Sequence, residues 1–234
     1  MQPPFFLPST QSPNLLWRIQ NGEIPDSLRP SVWWILIGTN DFLLYEHCSP
    51  DVVLMGIKRV VEEMRKLRPG SIIVVNSILP RTEVDLKGRL FDAKDPDRIT
   101  LWTGIMEVNR KLRLYCDKFR NVVFYDATSI FLKKDQDTRG IEGMYIPKDL
   151  MEDYVHPTKE GYKQFGAAIT LAVHQLIDAS AVDEGRKPLP HSWWEHVHDS
   201  PQEKLADDHH QRTLFATSNT TASLPSYLRS GEHR

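Results

Sequence analysis

A chain of 234 residues holds one domain with a substantial core and leaves room for a tail. Its 29 lysines and arginines against 31 aspartates and glutamates, a net charge of −2, argue against nucleic acid or an acidic membrane surface as a partner. The cysteines, Cys48 and Cys116, are far apart in no paired motif, so no disulfide framework or cysteine-rich metal site is indicated. No apolar run nears the ~18 residues of a membrane span, and the chain reads as soluble and cytoplasmic.

The opening "MQPPFFLPSTQSP" is proline-rich and lacks any period, which predicts an irregular arm over residues 1–13. Ser12 then serves as a cap, Pro13 fits a first turn, and Leu15, Leu16 and Ile19 give a short helix that stops near Gly22. "SVWWILIG" is apolar without alternation, as a parallel strand covered on both faces is, and is predicted to be central in its sheet. From Ser49 the pattern is helical again, through Val53, Ile57, Val60, Val61, Met64 and Leu67, until Pro69 and Gly70 stop it. "SIIVVNSILPR" supplies a second buried strand. The charged segment from Thr82 to Arg98 reads as a solvated loop, its alternative being a cover over a substrate pocket. A helix from about Ile99 to Phe119 and the strand "NVVFYDAT" follow. The last helix is capped by Thr158, carries Ile169, Leu171, Val173, Leu176 and Ile177, and ends near Ser180. Strand, helix, strand, helix, strand in this order predicts an α/β fold with a parallel sheet. Residues 181–234 read as a disordered tail. Its five clustered histidines, His191, His196, His198, His209 and His210, lack ordered spacing and acidic or thiolate partners, so no metal site is assigned. Trp17, Trp33, Trp34 and Trp102 fall in regular apolar elements and read as core or helix-packing residues.

Ligands of open parallel sheets bind outside the carboxyl ends of the strands, where Gly38, Asn40 and Asp41 lie. A glycine allows close backbone approach to a substrate, and an asparagine amide can donate to a developing oxyanion. The competing reading is that Asn40 and Asp41 only turn the chain. In "DYVHP", His156 can accept a proton and Asp153 can orient its ring; alternatively the pair is a local hydrogen bond in a pre-helical loop.

"GTND" after a buried strand and "DYVHP" before the last helix, with "NLLWRIQNGE" ahead and "NSILPR" between, resemble the SGNH (GDSL-like) hydrolase family, in its platelet-activating-factor acetylhydrolase branch. The likeness covers about residues 14 to 178. It implies a three-layer αβα, flavodoxin-like fold and a serine esterase, an acylhydrolase acting on a small ester without metal or other cofactor. Asn40 would be an oxyanion-hole donor, Gly38 part of the substrate-site backbone, His156 the general base and Asp153 its orienter. The family's nucleophilic serine, in a Gly-Asp-Ser motif, and its second-block glycine are not found: no Gly-Asp pair occurs, and no glycine precedes Gly22. Ser9 and Ser12 read as arm and cap, Ser31 lies at the amino end of its strand, and Ser77 within one. The expectation is a domain over 14–180 lacking its first two strands, a carboxyl-terminal piece that is close to silent alone. Its bare apolar edge would favour self-association or pairing with a paralogue. A non-catalytic binding or oligomerisation module is the alternative.

Overall fold

The computed structural model describes residues 11–42, 48–92, 94–95, 100–135 and 143–182. The expected arm lies outside these residues up to position 10, and the expected tail from 183 onward. Three parallel strands, β1 (Val32–Ile35), β2 (Ile72–Asn76) and β3 (Val122–Tyr125), form a sheet in the order β1-β2-β3. Helices α2 (Pro50–Leu67) and α3 (Leu101–Cys116) make the crossovers between them. Trp33 pairs with Ile73, and Ile73 with Val122, so side chains of one parity line one face across all three strands.

That face, with Ile35, Ile73, Val75, Val122 and Phe124, packs against Val53, Ile57, Val60 and Val61 of α2 and Ile105, Val108 and Leu112 of α3. The opposite face carries Val74 and Val123 under Leu176 of the last helix, α4 (Lys159–Val182). The result is the expected three-layer arrangement with a parallel sheet. Each large apolar side chain fully buried here contributes ~1.5–3 kcal/mol relative to exposure.

Several local expectations are corrected. β1 is not central: among the described strands it pairs only with β2 and lies at the edge. An unbroken apolar run reports that both faces of a strand are covered, and those of β1 are at least half-buried; it carries no information about hydrogen-bonded neighbours. The first helix, α1 (Ser12–Arg18), starts one residue early, with Gln11 at the cap position and Ser12 buried inside the domain rather than in the arm. Thr100 caps α3, accepting from the Thr103 amide, which sets its start at Leu101 rather than Ile99. On α4, Phe165, Ala172 and Leu176 are buried while Leu171 and Ile177 are exposed, because only one face of the helix meets the sheet. Trp17 is exposed for the same reason on α1, whereas Trp102 is buried and Trp33 and Trp34 are half-buried.

From Thr82 to Leu90 the charged segment after β2 is not a solvated loop. Thr82, Leu86, Gly88 and Leu90 are buried, a 3-10 turn spans Val84–Leu86, and Arg89 bridges Tyr145. Tyr145 belongs to a small antiparallel pair, β4 (Lys133–Lys134) with β5 (Met144–Tyr145). The charges of the segment misled the reading because the buried positions fall between them. Among the described residues no helix is long and apolar enough to cross a membrane.

Candidate active site

The carboxyl ends of the strands share one rim of the sheet, and three loops leave it. The first follows β1. The Gly38 carbonyl accepts the Asp41 amide at 3.2 Å, closing a tight turn with Thr39 and Asn40 at its tip, both half-buried. Gly38 sits at φ +113°, and a Cβ there would lie 2.8 Å from Ile57 Cδ1 and 3.0 Å from Ile78 Cδ1. Its bare side therefore faces core, which by itself requires glycine. Asp41 turns back into the protein. Its carboxylate accepts the Ser12 hydroxyl at 2.6 Å and the Ser12 amide at 3.2 Å, tying the amino end of α1 to the end of β1. Burial pushes the Asp41 carboxyl above its ordinary range, although the Ser12 hydrogen bonds pull the other way. Of the two polar residues ending the strand, Asp41 is thus a structural anchor that leaves Asn40 at the tip.

The second loop follows β2, and buried polar groups fix its path. Asn109 on α3 clamps Ile78, accepting its amide at 2.8 Å and donating to its carbonyl at 3.0 Å. The Ser77 hydroxyl accepts the Ala127 amide from the loop after β3 at 3.0 Å. Past this clamp the half-buried Arg81 reaches Thr39 Oγ1 in a long contact of 3.5 Å. Burial lowers the pKa of this guanidinium while the charge of Asp153 raises it, so Arg81 stands between the first loop and the last.

The third loop precedes α4. Here His156 Nδ1 and Asp153 Oδ2 are 2.6 Å apart. The other oxygen, Oδ1, accepts the amides of Val155 at 3.0 Å and His156 at 2.7 Å. Desolvation works against the Asp153 charge, but the bond from the His156 ring and the two amides outweigh it and hold the carboxyl at about 2. The carboxylate stays ionised at any physiological pH, aimed at one ring nitrogen. The imidazole is 74% exposed, open for proton transfer through Nε2. Thr158 begins α4 behind the pair, its hydroxyl accepting the Gly161 amide at 3.1 Å.

Asp153 and His156 are thus brought together, and the Asn40 turn is linked to them through Arg81. The serines considered from sequence are otherwise engaged. Ser12 is bound to Asp41. Ser77, which lies just past β2 rather than within it, is fully buried. Ser31 sits at the opposite rim, its carbonyl accepting the Ile72 amide; Ser9 lies outside the described residues. Sequence reading missed Arg81, though it ends the "NSILPR" stretch; a charged residue just past a buried strand on the ligand-binding rim was the available signal.

Residues 9–164 match the GDSL-like Lipase/Acylhydrolase family. The chain belongs to that family. Its relatives include the platelet-activating factor acetylhydrolase IB subunit alpha1 of Rattus norvegicus, 30% identical over 184 residues that make up 78% of this chain and 66% of the relative. The alpha2 subunit of Gallus gallus is 26% identical over 173 residues, 74% of this chain and 62% of that one. The chain thus spans just under two thirds of the length of these relatives. A solved structure of a candidate platelet activating factor from Streptococcus pneumonia aligns with a TM-score of 0.51 at 18% identity, covering 69% of this chain and 67% of that one, which supports the fold.

Proposed function

We propose that this GDSL-family chain carries the base and oxyanion side of a serine-type acyl ester hydrolase, acting on a small ester such as an acetyl ester. His156 is the general base, Asp153 orients it, and Asn40 donates to the oxyanion from the turn that Gly38 makes possible. A serine hydroxyl attacks the ester carbonyl, its proton passing to His156 Nε2 while Asp153 holds the Nδ1 proton. The carbonyl oxygen takes the negative charge beside Asn40. The intermediate then expels the alcohol, which leaves with the proton from His156, and water repeats the steps on the acyl-enzyme. Ser12 and Ser77 are buried and occupied, so the reading assigns the nucleophile to a serine outside the described residues or in a further part of the complete protein. The observation that carries the proposal is the 2.6 Å contact of His156 with an ionised, amide-braced Asp153.

The test combines two assays. The purified chain, shown to be folded by circular dichroism, is given a small chromogenic acetyl ester, and the protein isolated from its source is treated with a fluorophosphonate. Expected are near silence from the chain alone and labelling of the source protein that His156→Ala abolishes. Turnover by the chain that needs His156 yet resists fluorophosphonate overturns the serine assignment. A second, non-catalytic reading rests on β1: among the described strands it pairs on one side only, and Leu36 just beyond it is 44% exposed. A stoichiometric complex with a second copy or a paralogue supports that reading, and a sharp monomeric peak in size-exclusion chromatography counts against it.

A further inference from the structure

Between Asp153 and His156 the chain does something costly. Tyr154 sits at φ +61°, left-handed space that is strained for a residue with a Cβ and that a bulky aromatic rarely visits. The kink has a geometric product. By curling the backbone it lets the amides of Val155 and His156 point back at Asp153 Oδ1, while Oδ2 meets the imidazole. What holds the kink lies far away in sequence. The half-buried Tyr154 ring rests on Gly88 so closely that a Cβ there would lie 2.5 Å from Cε1 and 2.7 Å from Cδ1 of the ring. The supporting loop is itself built to fit. Lys87 and Gly88 are at φ +50° and +87°, and the Gly88 carbonyl accepts the Ile146 amide at 2.8 Å. The Tyr154 amide donates to the Met151 carbonyl at 3.2 Å, and Lys148 Nζ is 5.8 Å from the ring centre.

We infer that Tyr154 is a positioning residue: its ring, seated on the bare backbone of Gly88, holds the left-handed kink that places Asp153 against His156. The segment after β2 thereby acts as the buttress of the pair, a role distinct from both a solvated loop and a substrate cover. This rests on His156 and Asp153 being a working pair. Its test does not need substrate, so the two ideas fail separately.

The full chain, labelled with ¹³C and ¹⁵N, is titrated from pH 6 to 3 while the Asp153 carboxyl carbon and the His156 Nδ1 proton are followed. In the parent the carboxyl does not titrate in this window, since it is held at about 2. In Tyr154→Gly, which tolerates the positive φ but lacks the ring, the midpoint moves up towards the ordinary 3.8 and the Nδ1 proton signal is lost. Tyr154→Phe keeps both ring atoms that touch Gly88 and behaves as the parent. Gly88→Ala, which displaces the ring while leaving Tyr154 in place, behaves as Tyr154→Gly. Urea unfolding of each variant confirms that the fold persists, which separates loss of positioning from loss of structure. Parent-like titration in Tyr154→Gly or Gly88→Ala overturns the inference. Loss of the pair in Tyr154→Phe also overturns it, since the hydroxyl rather than the packed ring would then be responsible. If Tyr154→Gly fails to fold, Tyr154→Leu is read by the same two signals with the same meaning.

Discussion

Ser12→Ala offers a sharp test of how the candidate turn is anchored. The Ser12 hydroxyl donates to Asp41 at 2.6 Å, with Ser12 only 1% and Asp41 6% exposed. It also occupies the space Gly56 leaves, since a Cβ on Gly56 would come within 2.0 Å of Ser12 Oγ. A hydrogen bond to a charged group contributes ~1.5–3 kcal/mol, and the backbone amide of Ser12 remains in place, so a loss of about 2 kcal/mol at pH 7 is expected. With a urea slope of ~2 kcal/mol/M the midpoint falls by about 1 M.

The pH dependence of that loss is the stronger check. Burial raises the Asp41 carboxyl, so between 3.8 and its folded value the native state holds a proton that the unfolded chain has released. Through that window stability falls as pH rises. Removing the Ser12 hydroxyl removes the largest of the effects that lower this pKa, extending the window upward. Below the window Asp41 is protonated in both proteins and only a neutral hydrogen bond, ~1 kcal/mol, is at stake. Urea unfolding followed by tryptophan fluorescence at pH 7 and pH 3 should therefore show a cost that halves on acidification. An equal cost at both pH values, or none at pH 7, would refute the reasoning.

Gly38→Ala forces a Cβ against Ile57 and Ile78 at a left-handed φ, and should cost ~2–4 kcal/mol in urea unfolding. Asn109→Ala leaves the buried amide and carbonyl of Ile78 without partners, for about 3 kcal/mol by the same assay. On the proposed reading, in the protein isolated from its source, Asn40→Ala should lower kcat on an acetyl ester by ~10²–10³-fold and His156→Ala by ~10²–10⁴-fold, with circular dichroism unchanged. Because the Asp153 carboxyl is depressed, its contribution to stability is complete above 3.8 and disappears as pH falls towards about 2; Asp153→Asn should flatten the acid limb of unfolding in that window.

What could be read from the sequence was what repeats locally. Helical stripes such as Val53, Ile57, Val60 and Met64 and the β-branched run of β2 declare themselves, because burial selects at fixed periods. The contact of Asp153 with His156 was legible because they lie three positions apart and a cap follows. The place of Asn40 in a turn at the end of β1 was legible because an apolar strand stops abruptly before it. The rest depends on contacts between remote positions. Nothing near Ser12 announces a carboxylate 29 residues away, and nothing near Gly88 announces the Tyr154 ring. The edge position of β1 was not in its side-chain pattern, which reports faces and not ladders; it followed only from the family resemblance with two strands missing. Leu171 and Ile177 were misplaced because apolar residues on a helix do not state which face meets the sheet.

Two arginines at opposite ends of β2 are treated differently, and the difference bears on where function resides. At the amino end of β2, Arg68 is buried and its donors are spent on carbonyls: Leu28 at 3.0 Å, Leu67 at 2.8 Å and Pro25 at 2.7 Å. Such a guanidinium is mortar, binding the chain before β1 to the end of α2. At the carboxyl end, Arg81 is also desolvated enough to lower its pKa, yet among the described residues its hydrogen bonding consists of the long contact to Thr39. A desolvated cation with unused donors is a standing cost. The cost is placed on the rim where open parallel sheets bind ligands, between the turn bearing Asn40 and the ionised Asp153. The same rim carries the left-handed Tyr154 and the positive-φ Gly38. Strain at Tyr154 and unspent donors on Arg81 therefore meet on the rim that carries the candidate site, as expected where loops are held in place for chemistry and not for stability alone.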